Sequence, residues 1–303
     1  MSILAILFFI AALLVSVMIH ETGHFVTAKV FGMKATQFMI GFGPTLWSTM
    51  RGETEYGIKA IPLGGYVRIV GMSTADELSE ADWESGRLYI QQPRWQRLIV
   101  VLAGIVTNLV LGYLLLALAF GLFGSIVMHD GEVVRQSVGV LPTLAAAFNG
   151  PVSFVTMVGQ MVSTVGYLFS PAAITDLVGQ ITSSAPRTDG SLISIVGMAQ
   201  VVGAFGSQGN LFAVLVMVAQ LNLVLGVMNV LPFPPLDGGH VAVIVIEGTV
   251  NTVRRWMGKP ANWMINVDIW AYIALAVILY FVLILIGTTI LDVLKPASSL
   301  VGS

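Results

Sequence analysis

The segment His20-Glu21-Thr22-Gly23-His24 carries the most specific chemical signal in the chain. On a helix, two histidines four residues apart project from one face and can bind the same metal ion, while Glu21 can accept a proton from a water held there. These three side chains are the only ionisable ones between Met1 and Lys29. Ionisable groups are costly inside a membrane, so they predict a functional metal site. The alternative is that the histidines cap a helix near the membrane interface.

A catalytic zinc site needs a third protein ligand, for which Asp237 is the preferred candidate. Three prolines precede Asp237 and break an apolar stretch, and a carboxylate at membrane depth is tolerated only where it lines a cavity. Gly238 and Gly239 permit a tight turn and a close approach to another backbone. Asp237 could also be the N-cap of the following helix. The remaining candidates are His240 as a competing ligand or packing residue, Glu247 further into the next helix, and His129 on the opposite side of the membrane.

The composition indicates an integral membrane protein. Of the 303 residues, 56% are hydrophobic and 10% are charged, and the mean hydropathy is +0.89. Soluble domains carry roughly 25% charged residues. A soluble enzyme and a disordered chain are therefore disfavoured, and the net charge of −2 gives no attraction for nucleic acid, which is not expected as a partner. The absence of cysteine excludes disulfides and thiolate metal sites.

Four apolar stretches reach the length of about 20 residues that a membrane span requires. They predict transmembrane helices at 3–31, 98–128, 210–231 and 269–291. The first is interpreted as a retained helix, because no Lys or Arg precedes it and no small-residue cleavage site follows. The segment 151–169 has one apolar and one uncharged polar stripe, which favours an amphipathic helix at the membrane surface, with a fifth span as the alternative.

The distribution of Lys and Arg predicts the orientation in the bilayer. Eight of the fourteen basic residues lie in 29–97, and three more precede the last span, so both loops are expected in the cytoplasm. The loop 129–209 holds only Arg135 and Arg187 and is expected outside, as are both termini. The histidine motif then lies near the cytoplasmic end of the first span.

Residues 35–70 do not have a helical pattern. Apolar residues alternate through 56–61, with Gly and Pro nearby, which predicts β-hairpins. Strand edges are not tolerated against lipid, so this segment should enter a protein-lined cavity or lie at the interface. It is either a covering hairpin or, through residues 54–63, an edge strand that pairs with an extended peptide. In the second case the peptide-binding residues are Tyr56, Gly57, Ile58, Lys59, Ala60 and Ile61.

Several motifs, in order along the chain, resemble those of the site-2 protease family of intramembrane zinc metalloproteases, close to the bacterial regulators of sigma-factor proteolysis. HETGH resembles the family's HExxH, and NVLPFPPLDGGH resembles its N-x-x-P-x-x-x-L-D-G signature. GFGPTLW and EYGIKAIPLGGYV resemble its membrane-reentrant β segment. QQPRWQRLIVVLAGIVTN resembles the stretch that enters its second helix, although Ile105 replaces a frequent proline. The similarity covers most of 1–125 and 190–292.

Together with the four transmembrane helices and the amphipathic helix predicted above, the resemblance implies an all-α membrane protein with a membrane-reentrant β-hairpin segment. It implies one zinc ion held by His20, His24 and Asp237, with Glu21 as the catalytic base. Asn229 would contact the substrate backbone. Two further residues are candidates near the peptide: Asn108, which could bind the peptide or an oxyanion, and Pro232, which keeps the third span irregular. The alternative for both asparagines is ordinary hydrogen bonding between helices.

The implied function is hydrolysis of peptide bonds within single-span membrane proteins, such as anti-sigma factors or remnant signal peptides, in the bilayer of a bacterial plasma membrane. A helix hides its amides, so an edge strand that pairs with an unwound peptide would assist cleavage. One alternative is a metal transporter, which would not need Glu21 and would carry more ionisable residues in the outer half of the membrane. The other is a catalytically silent relative that binds substrate, against which the intact Glu21 argues.

The expected organisation is two catalytic halves, 1–128 and 210–303, joined by the extracytoplasmic segment 129–209. The first half includes the cytoplasmic loop 71–97, and the second includes the Leu-Asp-Gly motif at 236–238. Bacterial relatives of this subgroup usually carry one or two PDZ domains between the second and third helices. No such strand pattern is visible in 129–209, so this domain is expected to be missing, either naturally or by removal.

Overall fold

The computed structural model describes residues 3–73, 78–129, 132–136, 139–150, 152–183 and 192–297; Arg187, which entered the orientation argument, lies outside these ranges. The described chain is mainly helical, with two small antiparallel sheets. In order, its elements are α1 (Ile3–Val30), β1 (Ala35–Arg51), β2 (Thr54–Ile69), α2 (Glu80–Glu84), α3 (Arg94–Phe123), β3 (Ser125–His129), β4 (Glu132–Gln136), α4 (Val140–Asn149), α5 (Phe154–Leu168), α6 (Pro171–Thr182), α7 (Ile195–Ser207), α8 (Leu211–Met228), α9 (Asp237–Trp256) and α10 (Val267–Leu294).

Five helical stretches in the described part of the chain are long and apolar enough to cross a membrane. Four of them, in α1, α3, α8 and α10, coincide with the predicted spans. The fifth, Val140–Leu168, consists of α4 and α5, and it contains the segment that the sequence favoured as a surface helix. Length and composition do not decide whether this stretch crosses the bilayer, so the count of four spans stays a prediction.

The second span ends earlier than the sequence predicted. α3 stops at Phe123, and Gly124 adopts a φ of 88°, a left-handed conformation that suits glycine and commonly ends a helix. Residues Ser125–His129 then pair with Glu132–Gln136 as an antiparallel hairpin. The end of α3 at Phe123 was missed because the sequence carries no charged residue from 98 to 128. The Asp130-Gly131 dipeptide between the two strands, which is typical of tight hairpins, was the missed signal.

The sheet of β1 and β2 is bent, because Gly41 and Gly43 each have a φ of 83°. Residues 35–40 pair with 65–69, residues 45–51 pair with 54–59, and residues 37–40 also lie beside 55–58. The stretch 55–58 therefore has a partner on each side, and the prediction that it forms an edge is wrong for Tyr56, Gly57 and Ile58. Alternation with a period of two indicates which face of the sheet each side chain occupies. It does not indicate which strands pair with the strand that shows it. The stretch 65–69 pairs with β1 alone among the described residues.

The chain divides into two compact units, whose boundaries fall within α1, α3 and α10 and at the end of α8. The unit of residues 13–108 and 228–277 contains the bent sheet and a core around Ala28, Ile69 and Val101. Glu53 in the turn between β1 and β2 accepts two hydrogen bonds of 2.7 Å from Arg87 and one of 2.6 Å from Lys29. Those cations lower the pKa of Glu53 to about 2.

The other unit comprises residues 1–12, 109–227 and 278–303. Its largest core packs the second half of α3 against α5 and α8, around Phe120, Met157 and Leu223. A smaller core joins α6 to α10. This unit contains none of the residues of the predicted metal site.

Candidate metal centre

Two histidines of α1 and the first residue of α9 converge on one point. His20 Nε2 and His24 Nε2 lie 3.1 Å apart. Asp237 Oδ2 lies 3.0 Å from His20 Nε2 and 3.3 Å from His24 Nε2. Among the described residues, this is the one group of three whose ligand atoms are close enough to share a metal ion, all within 4.8 Å. Three protein ligands are the number that catalytic zinc sites typically use.

The hydrogen bonds of His24 show that these atoms fit a cation. His24 Nδ1 lies 2.8 Å from the carbonyl oxygen of Val100, and a carbonyl can only accept, so Nδ1 carries the proton. In a neutral imidazole, Nε2 then presents its lone pair to Asp237 Oδ2, which is buried and receives no hydrogen bond from the described residues. A lone pair and a buried carboxylate oxygen repel each other unless a cation lies between them. Metal-binding histidines typically donate their second N–H in this way.

Asp237 reaches the histidines because the chain is broken just before it. α8 ends at Met228, the proline-containing stretch 229–236 is not helical, and α9 begins at Asp237. Leu236 is the N-cap residue, so the alternative that Asp237 caps the helix is wrong. Asp237 lies instead in the first turn of α9, where the helix dipole favours a carboxylate.

The two glycines after Asp237 are required for space. A Cβ added at Gly238 would lie 2.3 Å from the carbonyl oxygens of Val230 and Leu231, and one at Gly239 would lie 2.6 Å from the Pro234 nitrogen. The predicted close approach to another backbone is thus confirmed. Neither glycine has a positive φ, so a left-handed turn is not the reason for their presence.

Gly104 of α3 is a site residue that the sequence analysis did not select. A Cβ at Gly104 would lie 2.3 Å from His24 Nε2 and 2.8 Å from His20 Cε1. On the facing helix, a Cβ at Gly23 would lie 2.7 Å from the Ala103 carbonyl oxygen. The two backbones therefore approach closely, as small residues permit in membrane proteins. The signal was available, since an isolated glycine inside a long apolar helix usually has a packing or functional reason.

Glu21 lies between the two histidines in sequence and contacts the bent sheet. Its Oε2 accepts a hydrogen bond of 3.0 Å from the Val67 N–H. Val67 belongs to the stretch 65–69, which pairs with β1 alone. The predicted base is therefore held beside a stretch of β2 whose strand pairing, among the described residues, is with β1 alone.

Both predicted asparagines lie against His20, at opposite nitrogens of its ring. Asn229 Nδ2 is 3.4 Å from Nε2, on the side that faces the other ligands. Asn108 Nδ2 is 3.2 Å from Nδ1, behind the ring, and the Asn108 side chain is 1% exposed. The structure thus brings both residues to the site but gives them different positions.

The other candidates do not join the metal group. The Glu247 carboxylate accepts a hydrogen bond from the Ile265 backbone N–H. His240 is partly buried, one turn along α9 from Asp237, and is not among the converging ligands. His129 is the last residue of β3, and the structure describes only the backbone of this strand. Pro232 is exposed in the break before α9.

The comparisons with known proteins agree with this geometry. The model of Peptidase family M50 matches residues 8–267. The zinc metalloprotease Rip1 of Mycobacterium tuberculosis is 30% identical over 94% of this chain and 95% of its own length. Rip1 of Mycolicibacterium smegmatis is 29% identical over 97% of this chain and 98% of its own length. A putative zinc metalloprotease of a Nostoc species is 27% identical over 82% of this chain and 86% of its own length.

The length of one of these alignments exceeds the length of this chain. The alignment with the Mycobacterium tuberculosis protein spans 392 positions, which is 89 more than the 303 residues of this chain. The relative therefore carries at least that many residues without a counterpart here.

Proposed function

The chain belongs to Peptidase family M50, and we propose that it hydrolyses peptide bonds inside the transmembrane segments of single-span membrane proteins. It is a zinc metalloprotease with several apolar helices. The observation that carries the proposal is the convergence of His20 Nε2, His24 Nε2 and Asp237 Oδ2, with Glu21 next to them in α1. These groups lie on apolar helices of a membrane protein, which favours a substrate that is itself in the membrane over a soluble one.

His20, His24 and Asp237 would hold the zinc ion. When bound, zinc polarises the scissile carbonyl and lowers the pKa of a water molecule. Glu21 takes a proton from the attacking water and passes it to the leaving amine. The hydrogen bond from the Val67 N–H fixes the direction of the Glu21 carboxylate and leaves its second oxygen to accept this proton.

The substrate main chain is proposed to lie along the stretch Gly65–Ile69. A transmembrane peptide must unwind before it is cut, and an edge strand can pair with the amides that unwinding frees. Gly65–Ile69 pairs with β1 alone among the described residues, and Val67 within it bonds the base. This stretch replaces Tyr56–Ile58 as the proposed peptide-binding edge. A role for Lys59, Ala60 and Ile61 stays a prediction.

Asn229 and Pro232 are proposed to line the open side of the centre. The Asn229 amide lies beside the metal-facing nitrogen of His20, so it can donate a hydrogen bond to a carbonyl oxygen whose negative charge increases during attack. Pro232 lies in the non-helical break, where it prevents α8 from continuing into the space that an extended peptide needs.

We propose four spans, with both termini outside and the centre near the cytoplasm. The two catalytic halves are 1–128 and 210–303, and 129–209 is an outer segment without a PDZ domain. The excess length of the Rip1 alignment supports the loss of an internal domain. Because the chain has no cysteine, single introduced cysteines can report sidedness by labelling in vesicles. If cysteines at the two ends of 140–168 are labelled from opposite sides of the membrane, this segment is a fifth span.

The decisive experiment is cleavage of a single-span model substrate in proteoliposomes by the wild-type chain and by Glu21→Gln, with bound zinc measured in both. We expect about one zinc in each protein and cleavage by the wild type alone, because Glu21 transfers protons and does not hold the metal. Zinc in both proteins with cleavage by both would remove Glu21 from its role. A folded wild type that binds no zinc would overturn the proposal.

A further inference from the structure

The face of α3 that packs on the two histidines presents Val100, Gly104 and Asn108, each four residues from the next. This spacing places the three residues on one side of the helix. Val100 accepts from His24 Nδ1, and Gly104 leaves room for both rings. Asn108 lies 3.2 Å from His20 Nδ1. The Nδ1 atoms of both histidines therefore contact α3. His24 contacts a backbone carbonyl, and His20 contacts a side-chain amide.

The contact between Asn108 and His20 has two possible directions. If the amide N–H₂ donates to Nδ1, the ring proton of His20 must lie on Nε2, which faces Asp237 and could not bind a metal. If the amide is turned by half a rotation, Oδ1 accepts from Nδ1–H and Nε2 presents its lone pair. The oxygen and nitrogen of an amide occupy nearly the same volume, so the hydrogen bonds decide between the two directions.

We propose that Asn108 is a positioning residue that accepts a hydrogen bond from His20 Nδ1–H and thereby fixes the tautomer that turns Nε2 towards the metal. This inference rests on the proposed zinc protease function. It assigns to Asn108 a role different from contact with peptide or oxyanion, because the residue lies behind the ring and away from the open position. Removing such supporting hydrogen bonds typically lowers metal affinity about 10- to 100-fold.

The test is zinc affinity, measured by chelator competition on purified full-length protein in detergent. Asn108→Leu removes the acceptor and should weaken zinc binding about 10- to 100-fold. Asn108→Asp keeps an acceptor of similar shape and cannot donate, so it should bind zinc at least as tightly as the wild type. Asn222→Leu is the matched control. Asn222 is also a fully buried membrane asparagine with an unpaired Oδ1, it lies outside the metal group, and its loss should leave zinc affinity unchanged.

The outcomes separate the possible roles of Asn108. Weaker zinc binding by Asn108→Asp would overturn the proposal, because it would show that the amide donates; this variant also decides the matter if Asn108→Leu does not fold. Unchanged zinc affinity in both variants, with kcat lowered, would equally overturn it and return Asn108 to oxyanion or peptide binding. A wild type without zinc would refute the proposed function itself, whereas equal zinc affinity of wild type and Asn108→Leu would refute this inference alone.

Discussion

Asp292 and Asp237 each have a buried carboxylate oxygen, and the surroundings of these two oxygens are opposite. Asp292 in α10 is fully buried, and its Oδ2 accepts backbone hydrogen bonds of 2.8 Å from Ser194 and 3.1 Å from Gly197, at the start of α7. Asp237 Oδ2 receives no such bond from the described residues and faces two histidine nitrogens. The N–H groups at a helix N-terminus stabilise the negative charge of a carboxylate, so Asp292 needs no cation beside it. A carboxylate oxygen that faces two histidine ring nitrogens is balanced only when a proton or a metal ion lies between them. Burial alone therefore does not identify a functional acid, whereas the nature of its partners does.

Replacement of Asp237 should have the largest functional effect. Asp237→Ala removes one of three metal ligands and should lower both zinc affinity and kcat/KM by at least about 1,000-fold. Zinc titration and cleavage assays in detergent measure the two quantities. Unchanged zinc affinity in this variant would remove Asp237 from the metal site.

Gly104→Ala tests how closely α3 must approach the ligands. The new methyl group would occupy space within 2.3 Å of His24 Nε2, so zinc affinity should fall about 100-fold or more. Gly121→Ala in the same helix is the matched control, because nothing lies within 4 Å of a Cβ at that position. Zinc affinity is measured for both variants. Equal affinities would refute the claim that α3 must approach the two histidines closely at Gly104.

Asp292→Ala should have the reverse profile of Asp237→Ala. It removes the acceptor of the Ser194 N–H and leaves the Gly197 N–H with only its 3.3 Å bond to Ser194 Oγ, which should destabilise the protein by about 2 kcal/mol. Zinc affinity and kcat at a temperature well below the Tm should be unchanged. A loss of zinc affinity in this variant, measured on folded protein, would mean that Asp292 contributes to the metal site.

The smallest expected effect concerns Glu53, which lies outside the membrane spans. Because Arg87 and Lys29 hold the pKa of Glu53 at about 2, below its ordinary value of 4.5, the ionised form stabilises the fold. This contribution is complete above about pH 4.5 and is lost as the pH falls towards 2. The Tm difference between wild type and Glu53→Gln should accordingly be constant near neutral pH and shrink below pH 4.5. A difference that grows in acid would contradict this sign.

The metal site was predictable because it follows from local rules. The spacing of His20 and His24 places them on one helix face, and the prolines before Asp237 cause the break that brings Asp237 to the histidines. Gly238 and Gly239 followed from the same argument, although their role concerns space and not φ. The supporting face of α3 could also have been read, since Val100, Gly104 and Asn108 follow a four-residue spacing.

The sheet and the ends of elements were less predictable. Alternation in 54–63 identified a strand. It did not show that Tyr56–Ile58 has a neighbour on each side, or that Gly65–Ile69 pairs with β1 alone among the described residues. These pairings depend on contacts between distant residues, which a periodic pattern does not encode. The end of α3 at Phe123 depended on one glycine in a stretch whose hydrophobicity continues past it.

X-ray absorption at the zinc edge of the full-length Glu21→Gln protein tests the central claim most directly. The account predicts one zinc with two imidazole nitrogens at about 2.0–2.1 Å and a carboxylate oxygen at about 2.0–2.2 Å. The two-imidazole signal should disappear from protein that also carries His20→Ala. A zinc bound only by oxygen atoms, or a spectrum that is unchanged by His20→Ala, would contradict the account.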